Sequence, residues 1–152
     1  MTTTLTAPAP HATSPAPAQK PRATHWLLRA ALTVQAVAAV AQPVLAGRYL
    51  SGDFDALAIH GGVAGVVLLT TIAAFAAAVL YWLAGRGTGW PALALVALFV
   101  AVITQIAVGA LRILAIHIPL GVAIVATAVV LAVWSFRPAA RRTRKSIRIG
   151  GP

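Results

Sequence analysis

The tetrapeptide Leu-Ala-Ile-His occurs twice in this chain, at residues 57–60 and again at residues 114–117. Both copies stand in stretches of Ala, Val, Leu and Ile, where few other polar side chains occur. A neutral imidazole can bind a metal or haem iron, and it can also accept or relay a proton. His60 and His117 are therefore the first candidates for chemistry.

Other polar and small residues accompany both copies in the same order. A glutamine, a glycine and an arginine precede each histidine, and a glycine follows it. The first set is Gln42, Gly47, Arg48, His60 and Gly65, and the second is Gln105, Gly109, Arg112, His117 and Gly121. This repetition predicts two related halves with equivalent polar positions.

The elements that must carry these residues are long and apolar. The composition is 60% hydrophobic and only 9% charged, which is too apolar for an ordinary soluble domain. A bilayer core requires roughly 20 apolar residues of helix. Four segments qualify, at about residues 26–46, 56–83, 91–111 and 118–136. The chain is predicted to be an integral membrane protein with an all-α, up-down-up-down transmembrane four-helix bundle.

The boundaries of this organisation follow from composition and from helix-ending residues. Residues 1–23 are rich in Pro, Ala and Thr and are predicted to be a disordered tail. Residues 24–136 form the bundle, and residues 137–152 form a basic tail. Pro43 and Gly47 are expected to end the first span, and Pro119 is expected in the first turn of the fourth. Asp53 or Asp55 is expected to cap the second span.

The net charge of +10 is segregated along the chain. The positive-inside rule predicts that both termini lie in the cytoplasm, and we expect the membrane to be a bacterial plasma membrane. The C-terminal tail, which lacks interleaved aromatic residues, is expected to contact anionic lipid and not nucleic acid. The sequence leaves open whether the protein forms a homo-oligomer or belongs to a larger membrane complex. The basic residues of this tail are Arg137, Arg141, Arg142, Arg144, Lys145 and Arg148.

The repeat also makes a geometric prediction. Two repeated hairpins with short loops suggest a pseudo-twofold axis along the membrane normal, with consecutive helices as neighbours. Spans two and four then lie on one diagonal, so His60 and His117 are expected to face each other near the outer surface. Gln42 and Gln105 are expected on the other diagonal.

Two imidazoles opposed across a helical bundle can bind both axial positions of a b-type haem. Ala64 and Gly121, one turn after the histidines, are small and are expected to leave room for a flat macrocycle. Positively charged side chains at the outer surface could pair with the propionates. The candidate cofactor-binding residues are His60, His117, Arg48, Arg112, Gln42 and Gln105, with His60 and His117 as ligands of the haem iron.

A structural interpretation stays open beside this one. The histidines could reach headgroups or cap helix ends, the glutamines could join helices, and the arginines could anchor the interface. Proton, quinone or non-haem metal contacts are further alternatives, although two histidines alone make a weak zinc or iron site. The chain has no cysteine and no catalytic motif, so we expect no independent enzymatic activity. The alternative function is a non-catalytic membrane scaffold or accessory subunit.

The duplicated Gln…Gly…Arg…His…Gly pattern over four spans resembles one four-helix half of the haem A synthase family. That resemblance implies haem binding with His60 and His117 as axial ligands. It does not imply haem A synthase activity, because Ala56 stands where the family has a glutamate. The layout over about residues 26–136 also resembles small, uncharacterised four-span bacterial membrane proteins, which bring no assigned activity.

Overall fold

A computed structural model describes residues 22–142 and contains four long helices. They are α1 (Ala23–Leu50), α2 (Asp55–Leu83), α3 (Trp90–Ala110) and α4 (Leu114–Phe136), followed by a short 3₁₀ helix (Pro138–Arg141). No strand occurs within this range, so the predicted all-α fold is confirmed. The predicted tail at residues 1–23, apart from its last two residues, and most of the tail at 137–152 lie outside the described residues.

The four helices form a closed ring in which each packs against its neighbours in the chain and α1 packs against α4. The helices on each diagonal are therefore α1 with α3 and α2 with α4. We call the end with the α1–α2 and α3–α4 turns the histidine end. The other, which carries the start of α1, the α2–α3 loop and the 3₁₀ helix, is the terminal end.

Two predicted helix ends are wrong. Pro43 and Gly47 lie inside α1, which continues to Leu50. Helix α4 begins at Leu114, so His117 is in its first turn and Pro119 is inside the helix. A proline removes only one backbone donor, and a membrane-spanning helix tolerates this loss where packing and the remaining hydrogen bonds hold the helix together.

The predicted acidic cap is also wrong. The N-cap of α2 is Phe54, which makes no side-chain capping hydrogen bond, and Asp55 lies in the first turn. The Asp53 carboxylate instead accepts hydrogen bonds from Arg48, from Nε at 3.0 Å and from Nη2 at 2.5 Å. Asp55 still places a negative charge near the positive end of the helix dipole.

The buried positions of the two hairpins correspond. When the two hairpins are aligned so that Gln105 falls on Gln42, every buried residue of α3 falls on a buried residue of α1. The buried residues Pro91, Ala92, Leu95, Leu98 and Val102 match Leu28, Arg29, Leu32, Gln35 and Ala39. When His117 is aligned with His60, four buried residues of α4 fall on buried residues of α2. Ile124, Ala128, Leu131 and Ser135 correspond to Val67, Thr71, Ala74 and Ala78.

The outer surface of the bundle is apolar on all four helices. Large hydrophobic side chains such as Val37, Leu69, Leu93 and Val122 are each more than half exposed. Exposed apolar area of this extent is unfavourable in water, whereas it is the natural surface against lipid. All four helices are long and apolar enough to cross a membrane, as expected of a small integral membrane protein.

Candidate functional site

The structure brings His60 and His117 together at the histidine end. His60 is in the second turn of α2 and His117 is in the first turn of α4, on opposite sides of the bundle axis. Their ring centroids are 6.2 Å apart, with an angle of 60° between the ring planes. Both side chains are half-buried. The two imidazoles therefore face each other across the α2–α4 diagonal.

One nitrogen of each ring is already bound to the partner helix of its own hairpin. The Nδ1 atom of His60 is 3.2 Å from the Gln42 backbone oxygen, and that of His117 is 3.1 Å from the Gln105 backbone oxygen. A carbonyl oxygen can only accept, so Nδ1 carries the proton in both rings. In a neutral imidazole with this tautomer, Nε2 keeps its lone pair, and this is the form in which histidine binds a metal.

The glutamine side chains complete the two hairpins differently. The Gln42 amide nitrogen donates to the His60 backbone oxygen at 3.3 Å, so this pair of residues exchanges two hydrogen bonds. The Gln105 amide nitrogen lies against Gly121. The Oε1 atoms of both glutamines are buried and accept no hydrogen bond within residues 22–142. The histidine end therefore has buried acceptors that no donor of the described chain satisfies.

Two glycines allow these side chains to approach. A Cβ at Gly109 would lie 2.7 Å from Cε1 and 2.8 Å from Nδ1 of His117. A Cβ at Gly121 would lie 2.8 Å from the Gln105 amide nitrogen. The expectation that Gly121 leaves room for a macrocycle is therefore wrong, because Gln105 already occupies that space.

The two arginines lie at this end, Arg48 in the last turn of α1 and Arg112 in the α3–α4 turn. Arg48 pairs with Asp53, and its side chain is 57% exposed, so this ion pair contributes little to stability. Arg112 is exposed and has a left-handed backbone conformation, with φ of 57°, in the α3–α4 turn. Within the described residues, neither arginine donates a hydrogen bond to the histidines or glutamines.

The donor set limits the metals that these residues could hold. No group of three or more His, Cys, Asp or Glu side chains with metal-binding geometry occurs among residues 22–142. Two imidazoles alone leave half of a tetrahedral zinc site unfilled.

A second polar cluster at the terminal end was not predicted. The buried His25 and Arg29 side chains both donate to the Ser135 backbone oxygen, at 2.9 and 3.2 Å. Ser135 lies in the last turn of α4, where backbone carbonyls lack helical partners and attract positive charge. The one sequence signal for this cluster is the i, i+4 spacing of His25 and Arg29 on α1, because that spacing puts both side chains on one helix face.

A buried polar pair inside the first hairpin was also missed. The Gln35 amide donates to the Thr71 hydroxyl at 2.9 Å, and both side chains are fully buried. The corresponding residues of the second hairpin are Leu98 and Ala128, which are also buried. The pair therefore stands outside the duplicated pattern, which is why the repeat did not indicate it.

Comparisons with models of known protein families, with curated proteins and with solved structures give no match for this chain. No relative therefore transfers a function to the two-histidine site.

Proposed function

We propose that this small membrane protein binds a b-type haem through His60 and His117 and serves as an electron-transfer subunit. The observation that carries the proposal is the pair of imidazoles at the histidine end. Their centroids are 6.2 Å apart, and both Nδ1 atoms are bound to backbone carbonyls. Both Nε2 atoms are thereby available as ligands.

The separation of the rings fits a single metal ion between them. Two nitrogen–metal bonds of about 2 Å each, added to the distance from each ring centre to its nitrogen, give a total of about 6 Å. The observed separation of 6.2 Å agrees with that sum. His60 and His117 would hold the iron, and a porphyrin would supply its remaining ligands, since no group of three or more metal-ligating side chains occurs among the described residues.

The residues of the chain would orient the ligands and supply counter-charge. Gln42 and Gln105 hold each imidazole in one tautomer through their backbone carbonyls. Arg48, in the last turn of α1, and Arg112, in the α3–α4 turn, are the candidates to pair with propionates. A bound haem supplies a one-electron redox centre in an apolar surrounding, where burial and axial ligation set its potential.

The proposal also includes an origin of the bundle by duplication of one helical hairpin and an orientation of the bundle in the membrane. The corresponding buried positions in the two hairpins support a duplication. Basic residues are concentrated at the terminal end, whereas Asp53, in the α1–α2 turn, and Asp55, at the start of α2, lie at the histidine end. The positive-inside rule therefore places the terminal end in the cytoplasm and the histidines near the outer surface.

The alternative function is a non-catalytic membrane scaffold or accessory subunit. One observation favours it: each histidine joins the two helices of its own hairpin through the glutamine carbonyl. Interhelical hydrogen bonds of this kind contribute roughly 0.6 kcal/mol each in a membrane protein, so they could explain the residues without a cofactor.

Optical spectroscopy of the full chain separates the two functions. The protein is expressed with haem available, purified in mild detergent and reduced with dithionite. We expect the sharp bands of low-spin haem in the wild type and in His25→Ala, which removes a histidine at the opposite end. We expect loss of these bands in His60→Ala and in His117→Ala, each still eluting as a single monodisperse species.

Two results would contradict haem binding. A wild-type protein that is colourless after haem supplementation would favour the scaffold function. Low-spin bands that persist in both single variants would show that the iron ligands lie elsewhere.

A further inference from the structure

The α1–α4 contact at the terminal end holds a buried guanidinium. Arg29 is 6% exposed, and its Cζ atom lies 4.4 Å from the centre of the Trp26 ring and 4.3 Å from that of Phe136. The two aromatic side chains therefore contact the planar group, and cation–π attraction favours such an arrangement. Its donors point outward in the plane, where one of them, Nη2, reaches the Ser135 oxygen at 3.2 Å.

The remaining donors of Arg29 lack an anion. Its Nε atom is buried and has no acceptor within residues 22–142. The only two acidic residues of the whole sequence, Asp53 and Asp55, lie at the opposite end of the bundle. A buried charge in a membrane protein is costly unless an opposite charge accompanies it. The Ser135 carbonyl supplies only a partial negative charge, so no full negative charge within residues 22–142 accompanies the guanidinium.

An apolar groove begins one helical turn from this guanidinium. It lies between α1 and α4, has a volume of about 320 Å³, and is open along a rim of exposed valines. Ala36 and Ala132 leave the space between the helices unfilled, while Phe136 contacts both the groove and Arg29. The residues that line it are Thr33, Ala36, Val37, Val40, Ala132, Val133 and Phe136.

We propose that this groove binds one anionic phospholipid, with an acyl chain along α1 and α4 and the phosphate at Arg29. The site and a phospholipid have their polar and apolar parts in the same order. The positive group lies at the end of the bundle, where a headgroup would be, and the apolar groove runs toward the middle of the bundle, where an acyl chain would be. Guanidinium donors match phosphate oxygens in charge and geometry. Basic pockets between transmembrane helices bind anionic headgroups in this way. The site is independent of the histidines at the other end.

Lipid retention by the full chain tests the proposal. Protein purified in mild detergent is titrated with phosphatidylglycerol or phosphatidylcholine, and bound lipid is counted by native mass spectrometry. We expect one retained phosphatidylglycerol and at least tenfold weaker binding of phosphatidylcholine. Arg29→Gln is expected to weaken phosphatidylglycerol binding about tenfold, because a charge-assisted contact is lost.

Two further variants keep the test specific. Arg86→Gln removes the same charge at the same end, from an exposed loop, and is expected to leave binding unchanged. Val37→Trp fills the groove from its exposed rim without changing charge, so it is expected to weaken binding even if Arg29→Gln fails to fold.

Several outcomes would overturn the proposal. Equal retention of both lipids would show that the groove has no headgroup selectivity, and equal losses in Arg29→Gln and Arg86→Gln would show general surface attraction. Competition by soluble glycerol phosphate as effective as the lipid would exclude a role for the acyl groove. A dimer that Val37→Trp dissociates without affecting lipid binding would identify a second copy of the chain as the occupant.

Discussion

At the scale of single residues, the position of one proton decides what the histidine pair can do. The sequence indicates that His60 and His117 are equivalent, but it does not show which ring nitrogen is free. The backbone oxygens of Gln42 and Gln105 each accept from Nδ1, which leaves both Nε2 atoms as potential ligands. The repeated glutamine is therefore important here through its backbone, which any residue type would supply.

The close approach of Gly109 to His117 can be tested by a single substitution. In Gly109→Ala, the added Cβ would meet the imidazole at 2.7 Å and displace a ring that is hydrogen-bonded to Gln105. We expect this clash to outweigh the gain of up to about 1 kcal/mol in helix propensity. The variant should lower the thermal unfolding midpoint in detergent and weaken any haem bands.

Gly47→Ala is the matched control at the same end of the bundle, because a Cβ there meets nothing within 4 Å. It should keep the propensity gain and raise the unfolding midpoint slightly. If both substitutions raise the unfolding midpoint by the same amount, the position of the His117 ring does not require a glycine at position 109, which would contradict the prediction.

At the scale of elements, hydrophobic length predicted the four helices, whereas local helix-ending residues misplaced two of their ends. Pro43, Gly47 and Pro119 all lie inside helices. These residues weaken a helix in water, where the backbone can bond to solvent instead. In an apolar surrounding an unpaired backbone group is costlier, so the helix continues through them.

The buried Gln35–Thr71 pair provides a test at the scale of one hairpin. Thr71→Ala leaves the buried Gln35 amide without its acceptor, which we expect to cost about 1–2 kcal/mol. The double variant Gln35→Leu/Thr71→Ala gives this hairpin the apolar residues that the other hairpin has at Leu98 and Ala128. It should recover most of the loss, measured as unfolding midpoints in detergent.

A double-mutant cycle completes that experiment, with Gln35→Leu as the second single variant. Additive effects of the two substitutions would contradict the expectation, since they would show that the hydrogen bond between the side chains contributes no coupling energy.

At the scale of the whole molecule, closure of the ring brings together one polar cluster at each end of the bundle. The packing of α1 against α4 puts α2 and α4 on a diagonal and brings the histidines to one end. The same contact forms the His25–Arg29–Ser135 cluster at the other end. The intervening surface is apolar and suits lipid, so each polar group can meet only what reaches that end of the membrane.

The orientation of the bundle can be tested directly because the chain contains no cysteine. Ser51→Cys introduces a thiol at the exposed α1–α2 turn, and Arg86→Cys introduces one at the exposed α2–α3 loop. With a membrane-impermeant maleimide on intact cells, we expect labelling at position 51 alone. Labelling at position 86 should appear only after the membrane is broken. The reverse pattern would place the histidine end in the cytoplasm.

Much of this architecture follows from the sequence alone. The length and apolarity of the four segments determine that they are helices able to cross a bilayer, because a spanning backbone must satisfy its own hydrogen bonds. The repeated Leu-Ala-Ile-His motif indicates equivalent positions for the histidines. These properties are local and can be recognised in a single sequence.

Only the tertiary structure decided how distant residues meet. It set the 6.2 Å between the imidazoles, the choice of Nδ1 as the donor, and the filling of the space at Gly121 by Gln105. It also brought the Arg29 guanidinium against Trp26 of α1 and Phe136 of α4 and left its Nε without an acceptor among residues 22–142. The physical reason is that these contacts depend on how separate helices rotate and approach one another, which the spacing along one helix does not determine.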